Sequence, residues 1–270
     1  AGELGDDGRV IAGGTALVLV MRQRMIAPTH LVSLGRLPHL RTIAADSQGW
    51  LRIGALCTHG EIAASPLVRR QWPMLASMAE RVANPQVRHQ GTIGGNLCYG
   101  DPSTDPPGCL LALDAQVVAE SVRGERVMPM ADFLVDYYTT ALAPDEILTE
   151  IRVPPQAADA VEVYTRHLRT AADHRPLLGV AVHARRQGAV CEDVRIAISA
   201  STPIPIRVPR AEALLRGQAV TRELAVQAGA IVAADIEVVD DARGDAAYRR
   251  EVARVVSARS IAQLFGLPQE

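Results

Sequence analysis

The most informative stretch of this chain reads Gly91-Thr92-Ile93-Gly94-Gly95-Asn96-Leu97. Adjacent glycines beside a small hydroxyl residue tolerate positive φ and let backbone N–H groups come close to an anion. Polar side chains between Gln86 and Gln90 precede the turn, and Asn96 follows its glycines. The stretch therefore predicts a loop that binds a phosphate group.

A second glycine loop, close to the start of the chain, reads Ile11-Ala12-Gly13-Gly14-Thr15-Ala16-Leu17. It lacks the third glycine of a Rossmann fingerprint and the Gly-Lys pair of a P-loop. A phosphate contact here would therefore use backbone amides, assisted by the Thr15 hydroxyl. Taken alone, a tight turn between the strand Arg9–Ala12 and the helix Leu17–Arg24 that binds nothing explains it equally well. Two such loops gripping one diphosphate from opposite sides indicate a dinucleotide.

Two carboxylates follow the later loop at a four-residue spacing, Asp101 and Asp105, in a proline-rich segment. A carboxylate beside a dinucleotide most often accepts hydrogen bonds from ribose hydroxyls. A pair of carboxylates also suits acid/base chemistry or a metal, although no further ligands cluster nearby. The remaining interpretation is a solvated turn with aspartate as its cap.

The histidines and cysteines give weaker signals. His59 lies in a capping box, Thr58–Glu61, and is predicted to be a surface residue of the helix that this box opens. His167 and His183 are interpreted as structural, and Cys98 as a small inert hydrophobe. No residue is assigned a catalytic or metal-binding role.

Composition excludes several classes of function. All 28 basic residues are arginine, so Schiff-base and P-loop lysines are absent. A net charge of −2 and 3% aromatic residues argue against a nucleic-acid partner. No apolar run has membrane-spanning length. The spacing of the four cysteines is typical of reduced thiols in a cytoplasmic protein.

The length of 270 residues favours two domains. The pair Pro154–Pro155 marks the predicted boundary, which divides the chain into residues 1–155 and 156–270. Beyond it, alternation over Leu178–Val182 and Val194–Ile198 predicts two antiparallel strands with one solvated face. The segment Met130–Tyr137 is predicted to be helical. The mixture of elements predicts an α+β protein.

These motifs together resemble the FAD-binding medium subunit of the molybdenum hydroxylases, a family that includes aerobic carbon monoxide dehydrogenase and xanthine dehydrogenase. The resemblance spans nearly the whole chain. The segments that carry it are Ala12–Thr15, Gln86–Leu97, Asp101–Asp105, Leu142–Pro154, Asp241–Gly244 and Tyr248–Arg250.

The resemblance implies a fold of the vanillyl-alcohol-oxidase/MurB (PCMH) type, in which two α+β subdomains clasp FAD. This FAD-binding domain is assigned to residues 1–155. Its first strand and helix are expected to be missing, because the family commonly begins with some two dozen more residues. Residues 156–270 are assigned to a smaller domain like the C-terminal domain of the carbon monoxide dehydrogenase flavoprotein, with a short antiparallel sheet and helices.

The resemblance also implies site residues. Asp101 and Asp105 would bind at the ribose and diphosphate end of FAD, and Leu148 would lie near the flavin. His174 occupies the place of a residue that packs on the isoalloxazine ring, where it either stacks or swings out into solvent. Covalent relatives carry a flavin-linked histidine at the position of Thr15, so non-covalent FAD is expected. The residues implied for the pyrophosphate are Val10, Ile11, Ala12, Gly13, Gly14, Thr15, Ala16, Leu17, Thr92, Ile93, Gly94, Gly95 and Asn96.

The implied function is electron transfer within a heterotrimeric molybdenum hydroxylase, expected to be cytoplasmic and to form a dimer of heterotrimers. A large partner would carry the molybdopterin cofactor, and a small partner would carry two [2Fe-2S] clusters. FAD on this chain would collect electrons and pass them to an acceptor. Two alternatives remain, a stand-alone FAD oxidoreductase of the same fold superfamily and a nucleotide-binding interaction module without redox function. The sequence identifies neither the substrate nor the electron acceptor.

Overall fold

The computed structural model describes residues 7–268. The first unit is a parallel pair of short strands, β1 (Gly8–Ile11) and β2 (His30–Ser33), whose register runs from Gly8 opposite His30 to Ile11 opposite Ser33. The helix α1 (Leu17–Arg22) lies between them, as parallel strands require a crossover connection. The predicted strand Arg9–Ala12 and helix Leu17–Arg24 correspond to β1 and α1 to within two residues at each end.

A five-stranded antiparallel sheet in the order β3-β4-β9-β5-β6 forms the centre of the first 155 residues. Ile151 and Val153 of β9 point into the core, whereas Glu150 and Arg152 lie on the other face, as the two-residue period of a strand requires. Its strands are β3 (Ile43–Ala45), β4 (Leu51–Gly54), β5 (Gln116–Ser121), β6 (Gly124–Pro129) and β9 (Ile147–Val153).

Six short helices cover the apolar face of this sheet. Four of them begin with proline, which suits the first helical position because its missing N–H would be unpaired there. The predicted capping box Thr58–Glu61 is confirmed at the start of the first. They are α2 (His59–Ala64), α3 (Pro66–Gln71), α4 (Pro73–Arg81), α5 (Pro85–Gln90), α6 (Ile93–Tyr99) and α7 (Pro106–Ala112).

The helix predicted over Met130–Tyr137 is wrong. The structure has one turn of 3₁₀ helix there, followed by a hairpin of β7 (Leu134–Asp136) and β8 (Thr139–Thr140). Tyr138 adopts φ +52° at the turn and donates its backbone N–H to Gly100 O at 3.0 Å. Contacts with a distant segment therefore override the local helical pattern.

The C-terminal part is an antiparallel sheet in the order β10-β11-β12-β13, with three helices on one face. The two predicted antiparallel strands are confirmed as β11 and β12. The solvated face predicted for them is wrong, because every residue from Leu178 to Ala184 is buried. The elements are β10 (Ala160–His167), β11 (Leu178–Gln187), β12 (Val190–Ser199), β13 (Ile206–Arg207), α8 (Pro209–Leu215), α9 (Arg222–Asp235) and α10 (Ala246–Leu264).

The two faces of β11 belong to two hydrophobic cores. Leu178, Val180 and Val182 pack with the C-terminal helices, whereas Ala181 packs with the core of the first 155 residues. The α+β prediction is confirmed, and the boundary after Pro155 stays a prediction. Between residues 7 and 268 no helix is both long and apolar enough to cross a membrane.

Candidate functional site

The first glycine loop leaves β1 and enters α1. Gly14 adopts φ +71°, and its carbonyl accepts from the backbone N–H of Val18 at 3.0 Å. The six backbone N–H groups from Ala12 to Leu17 donate no hydrogen bond to any residue between 7 and 268. Unsatisfied N–H groups that follow one another at a strand-to-helix turn form a site for an anion.

The structure brings the two glycine loops into backbone contact. A Cβ atom on Gly13 would lie 2.0 Å from Gln90 O and 3.1 Å from Gly91 Cα. A Cβ on Gly91 would lie 3.2 Å from Thr15 Oγ1. The two motifs, which are far apart in sequence, thus form one continuous surface.

The second loop is the start of α6 rather than an open turn. Its amides already donate within the protein: Ile93 to Cys57 O at 2.9 Å, Gly94 to Ala55 O at 2.9 Å, and Asn96 to Thr92 O at 2.9 Å. Gly95 donates to the capping Thr92 Oγ1 at 3.1 Å. The first loop therefore offers the unpaired amide donors, and the second loop packs against the first.

Asn96 is the side chain of α6 that remains incompletely bonded. Its Nδ2 donates to Thr104 Oγ1 at 2.7 Å, while its Oδ1 is buried with no hydrogen-bond partner among residues 7–268. A buried amide oxygen without a donor is costly unless a bound molecule supplies one. This orphaned oxygen and the free amides of the first loop fit a polar dinucleotide such as FAD.

Asp105 is buried, with 2% of its side chain exposed, so its interpretation as part of a solvated turn is wrong. Its Oδ1 accepts from Tyr164 Oη at 2.8 Å and from Arg166 Nε at 3.0 Å. Burial raises the pKa of Asp105 to about 6, although Arg166 and Tyr164 act in the opposite direction. Asp101, four residues earlier, pairs with Arg175 and accepts from Ser103 N at 2.9 Å.

His174 and Leu148 lie in different surroundings. The imidazole of His174 is exposed, and its carbonyl accepts from Arg166 Nη2 at 2.6 Å, which links it to Asp105. Leu148 is 3% exposed in the core of the first 155 residues, whereas its neighbour Ile147 packs, as Val10 and Ala12 do, against a separate small cluster of Leu34, Leu40 and Leu56. The flavin-side roles of His174 and Leu148 stay predictions.

His59 is not on the surface, contrary to the prediction, because only 2% of it is exposed. Its backbone N–H donates to Gly91 O at 3.2 Å, so it lies directly behind the second loop. Burial, and then the charge of Arg88, lower the pKa of His59 to about 4, so the imidazole is neutral at pH 7. The capping box placed the residue on a helix, but its burial depends on the other helices that pack against α2.

Three further residues at this site were not singled out from the sequence, namely Tyr164, Arg166 and Arg175. They lie some sixty to seventy residues from the aspartates that they contact, and no local pattern connects the two groups. Over the range that the structure describes, no group of three or more histidine, cysteine, aspartate or glutamate side chains is arranged to hold a metal ion.

Comparison with known proteins covers almost the whole chain. Residues 2–156 match the family model of the FAD binding domain in molybdopterin dehydrogenase. Residues 162–264 match the carbon monoxide dehydrogenase flavoprotein C-terminal domain.

Individual relatives agree with these matches. The chain is 36% identical to the carbon monoxide dehydrogenase medium chain of Hydrogenophaga pseudoflava, over 96% of this chain and 90% of that one. It is 34% identical to the nicotine 6-hydroxylase medium subunit of Paenarthrobacter nicotinovorans, with the same coverage. A chain in the solved carbon monoxide dehydrogenase from Hydrogenophaga pseudoflava superposes with a TM-score of 0.94 at 35% identity, covering 98% of this chain and 92% of that one.

Proposed function

The chain belongs to the FAD-binding medium subunits of the molybdenum hydroxylases, and we propose from this premise that it holds FAD non-covalently between its first glycine loop and the Asp101–Asp105 segment. The observation that carries the proposal is the run of free backbone N–H groups from Ala12 to Leu17. Bound FAD accepts and releases electrons, and the protein supplies its binding, orientation and electrostatic surroundings.

Each part of the site has a separate task in this proposal. The free amides of the first loop bind the diphosphate, and Thr15 adds its hydroxyl. The second loop, Thr92–Asn96, supports the first through the contact of Gln90 and Gly91 with Gly13. Asn96 Oδ1 accepts from a polar group of the nucleotide, and Asp101 and Asp105 lie at its ribose end. Leu148 and His174 lie on the flavin side.

The proposal extends to the assembly. The chain is one subunit of a heterotrimer with a large molybdopterin-binding partner and a small partner that carries two [2Fe-2S] clusters, and two heterotrimers form a dimer in the cytoplasm. Relatives named as medium chains and medium subunits support this assembly. Substrate oxidation then takes place on the large partner. The predicted domains, residues 1–155 and 156–270, are part of the same proposal.

The experiment is a visible absorption spectrum of the complex purified gently from its native cells. Flavin bands on a broad iron–sulfur background are expected, with FAD released intact by denaturation alone because the link is non-covalent. Flavin bands without iron–sulfur absorption, together with turnover by the isolated chain, would instead favour the stand-alone oxidoreductase. A folded, intact and colourless protein that binds no FAD would contradict the proposal.

A further inference from the structure

The segment 101–105 is fixed at alternate residues by arginines from the C-terminal part. Asp101 pairs with Arg175. Asp105 accepts from Arg166 Nε at 3.0 Å. Between them, the hydroxyl of Ser103 accepts from Nη2 of a third arginine, Arg243, at 2.5 Å. We call these three contacts the arginine tie.

The arginines come from three separate places in the C-terminal part. Arg166 lies on β10, Arg175 lies between β10 and β11, and Arg243 lies between α9 and α10. Three independent contacts that converge on five consecutive residues differ from a scattered set of surface ion pairs, each of which contributes little.

Arg243 is itself anchored to the C-terminal sheet. Its guanidinium donates to Asp241 Oδ2 at 2.8 Å, and Asp241 Oδ1 accepts from Arg249 Nη2 at 2.5 Å. Arg249 is completely buried and donates to the carbonyls of Leu177 and Ala200, each at 3.2 Å. The contact with Ser103 is therefore made by a side chain whose position is fixed by the sheet.

On its other side, the same segment contacts the glycine loops. Thr104 accepts from Asn96 Nδ2 at 2.7 Å, and Asn96 belongs to α6, whose first amides are all bonded within the protein. A continuous path of hydrogen bonds thus leads from the C-terminal sheet through Arg243 and the 101–105 segment to Asn96. The Arg166 contact adds the backbone of His174 to this path.

We propose that the arginine tie makes the C-terminal part a positioning device for FAD, so that Arg166, Arg175 and Arg243 set FAD affinity without contacting the reacting atoms. This inference rests on the proposed function. Two carboxylates at the ribose end add negative charge to a dinucleotide that already carries a charged diphosphate, and the guanidinium groups offset that charge while holding the carboxylates in place. Loss of one arginine both loosens the segment and leaves its negative charge less compensated.

The Ser103–Arg243 contact gives the sharpest test, because Ser103→Ala removes one hydroxyl and nothing else. The variants Ser103→Ala, Arg243→Gln and their combination are prepared in the complete complex, stripped of FAD and titrated with FAD. Each single variant is expected to bind FAD about three- to tenfold more weakly, the range for the loss of one ordinary hydrogen bond. The double variant should bind no more weakly than Arg243→Gln alone, because both changes remove the same contact.

Two further variants separate positioning from general stability. Arg243→Lys keeps a donor for Ser103 and is expected to recover part of the affinity. Arg216→Gln removes a half-exposed pair with Asp193 inside the C-terminal part and should leave FAD affinity unchanged. Far-UV circular dichroism of each variant without FAD confirms folding, so that a lower affinity is not mistaken for unfolding.

The outcomes separate this inference from the proposed function. An unsubstituted complex that binds no FAD would overturn both. Tight FAD binding by the unsubstituted complex, with unchanged affinity in Ser103→Ala and Arg243→Gln, would overturn the arginine tie alone. Additive losses in the double variant would also overturn it, since the two residues would then act separately.

Discussion

At the level of single residues, the glycines of the first loop are required for two different physical reasons. Gly14 has φ +71°, a conformation that costs other residues energy. Gly13 does not have a positive φ, but its Cα packs directly on the carbonyl of Gln90. Gly14 therefore shapes the turn, and Gly13 allows the two loops to come into contact.

Gly13→Ala tests the backbone contact. The Cβ atom of the added methyl group would lie 2.0 Å from the carbonyl oxygen of Gln90. This distance is too short for two non-bonded atoms, so the loops must separate. We expect a loss of about 1–3 kcal/mol in the free energy of unfolding, as for other overpacked sites, together with weaker FAD binding. Denaturant unfolding and FAD titration measure the two effects. Gly35→Ala is the control, because its Cβ would meet only Ser33 Oγ at an ordinary 3.4 Å.

Arg249→Met tests the buried anchor of the C-terminal part. The guanidinium donates to Asp241 and to three carbonyls, of Gly244, Leu177 and Ala200, and methionine would leave all of them without this donor. We expect the free energy of unfolding to fall by about 3 kcal/mol, as when one partner of a buried pair is removed. Arg250→Met, at an exposed position of the same helix, should change it by less than about 0.5 kcal/mol in a parallel denaturant titration.

Sequence reasoning at the residue scale found the glycines but not the burial of polar side chains. The capping box placed His59 at a helix start, and the acidic spacing singled out Asp105. Both sequence signals are compatible with an exposed side chain, because the burial of a residue depends on which distant element packs against it. Asp105 is covered by Tyr164 and Arg166, which no local pattern pairs with it.

At the level of elements, capping and periodicity predicted well where the signals were local. The capping box Thr58–Glu61 was predicted as observed, and the predicted strand Arg9–Ala12 differs from β1 by one residue at each end. The helices α5 and α6 were missed, although Asn84 before Pro85 and Thr92 three residues before Gly95 are both N-cap signals. Glycine in α6 hid the signal, since glycine disfavours helices in isolation.

The start of α4 is capped by a residue from the other part of the chain. Trp72 offers no capping side chain, and Glu162 of β10 accepts from Met74 N at 2.6 Å instead. Glu162 Oε2 is buried without a hydrogen-bond partner among the residues described, and burial raises the pKa of Glu162 to about 7. Its neighbours across the sheet are His183, directly opposite, and Arg195 on the next strand.

Glu162→Gln tests this cap through its pH dependence. The pKa of the folded state, about 7, lies above the ordinary value of 4.5, so the folded protein keeps the proton longer than the unfolded chain does. The contribution of Glu162 is therefore complete below pH 4.5 and is lost as the pH rises through 7. Relative to Glu162→Gln, the unsubstituted protein should lose on the order of 2 kcal/mol between pH 5 and pH 8, measured by denaturant unfolding.

The unsubstituted protein has to be compared with Glu162→Gln because His183 makes the free energy of unfolding change with pH in the opposite direction. Burial, and then the charge of Arg195, lower the pKa of His183 to about 4, so its contribution is lost as the pH falls from 6.5 towards 4. The Glu162→Gln difference isolates the carboxyl group. Glu80→Gln, at an exposed position of α4, is the control, and an equal pH-dependent difference there would show that the burial of Glu162 is not the cause.

At the level of the whole molecule, the junction between the two cores is what the sequence did not reveal. The proline pair at 154–155 indicated a boundary, but the core of the first part also contains Tyr164, Ala181 and Ala197 from beyond it. Alternation in β11 was interpreted as one solvated face because small alanines on that face carry little hydrophobic signal. That face is in fact the packed junction, and the arginine tie lies at its edge.

A junction that is both apolar and hydrogen-bonded should make the two parts unfold together. The chain has two tryptophans, Trp50 and Trp72, and both precede the junction. The C-terminal part contributes the long helices α9 and α10. Tryptophan fluorescence therefore reports only on the first part, while far-UV circular dichroism also reports on the second. For a cooperative molecule, the two probes should give the same denaturant midpoint.

FAD gives a second test of cooperative unfolding. A ligand that binds the first loop stabilises every part of the molecule that unfolds together with that loop. At a free FAD concentration of 100 times its Kd, both midpoints should shift together by the equivalent of about 2.7 kcal/mol. In Arg243→Gln the shift at the same FAD concentration should be smaller, since the affinity is lower. If FAD moved the fluorescence midpoint but not the dichroism midpoint, the C-terminal helices would unfold independently of the FAD site. The hydrogen-bond path from the sheet to Asn96 would then transmit no stability.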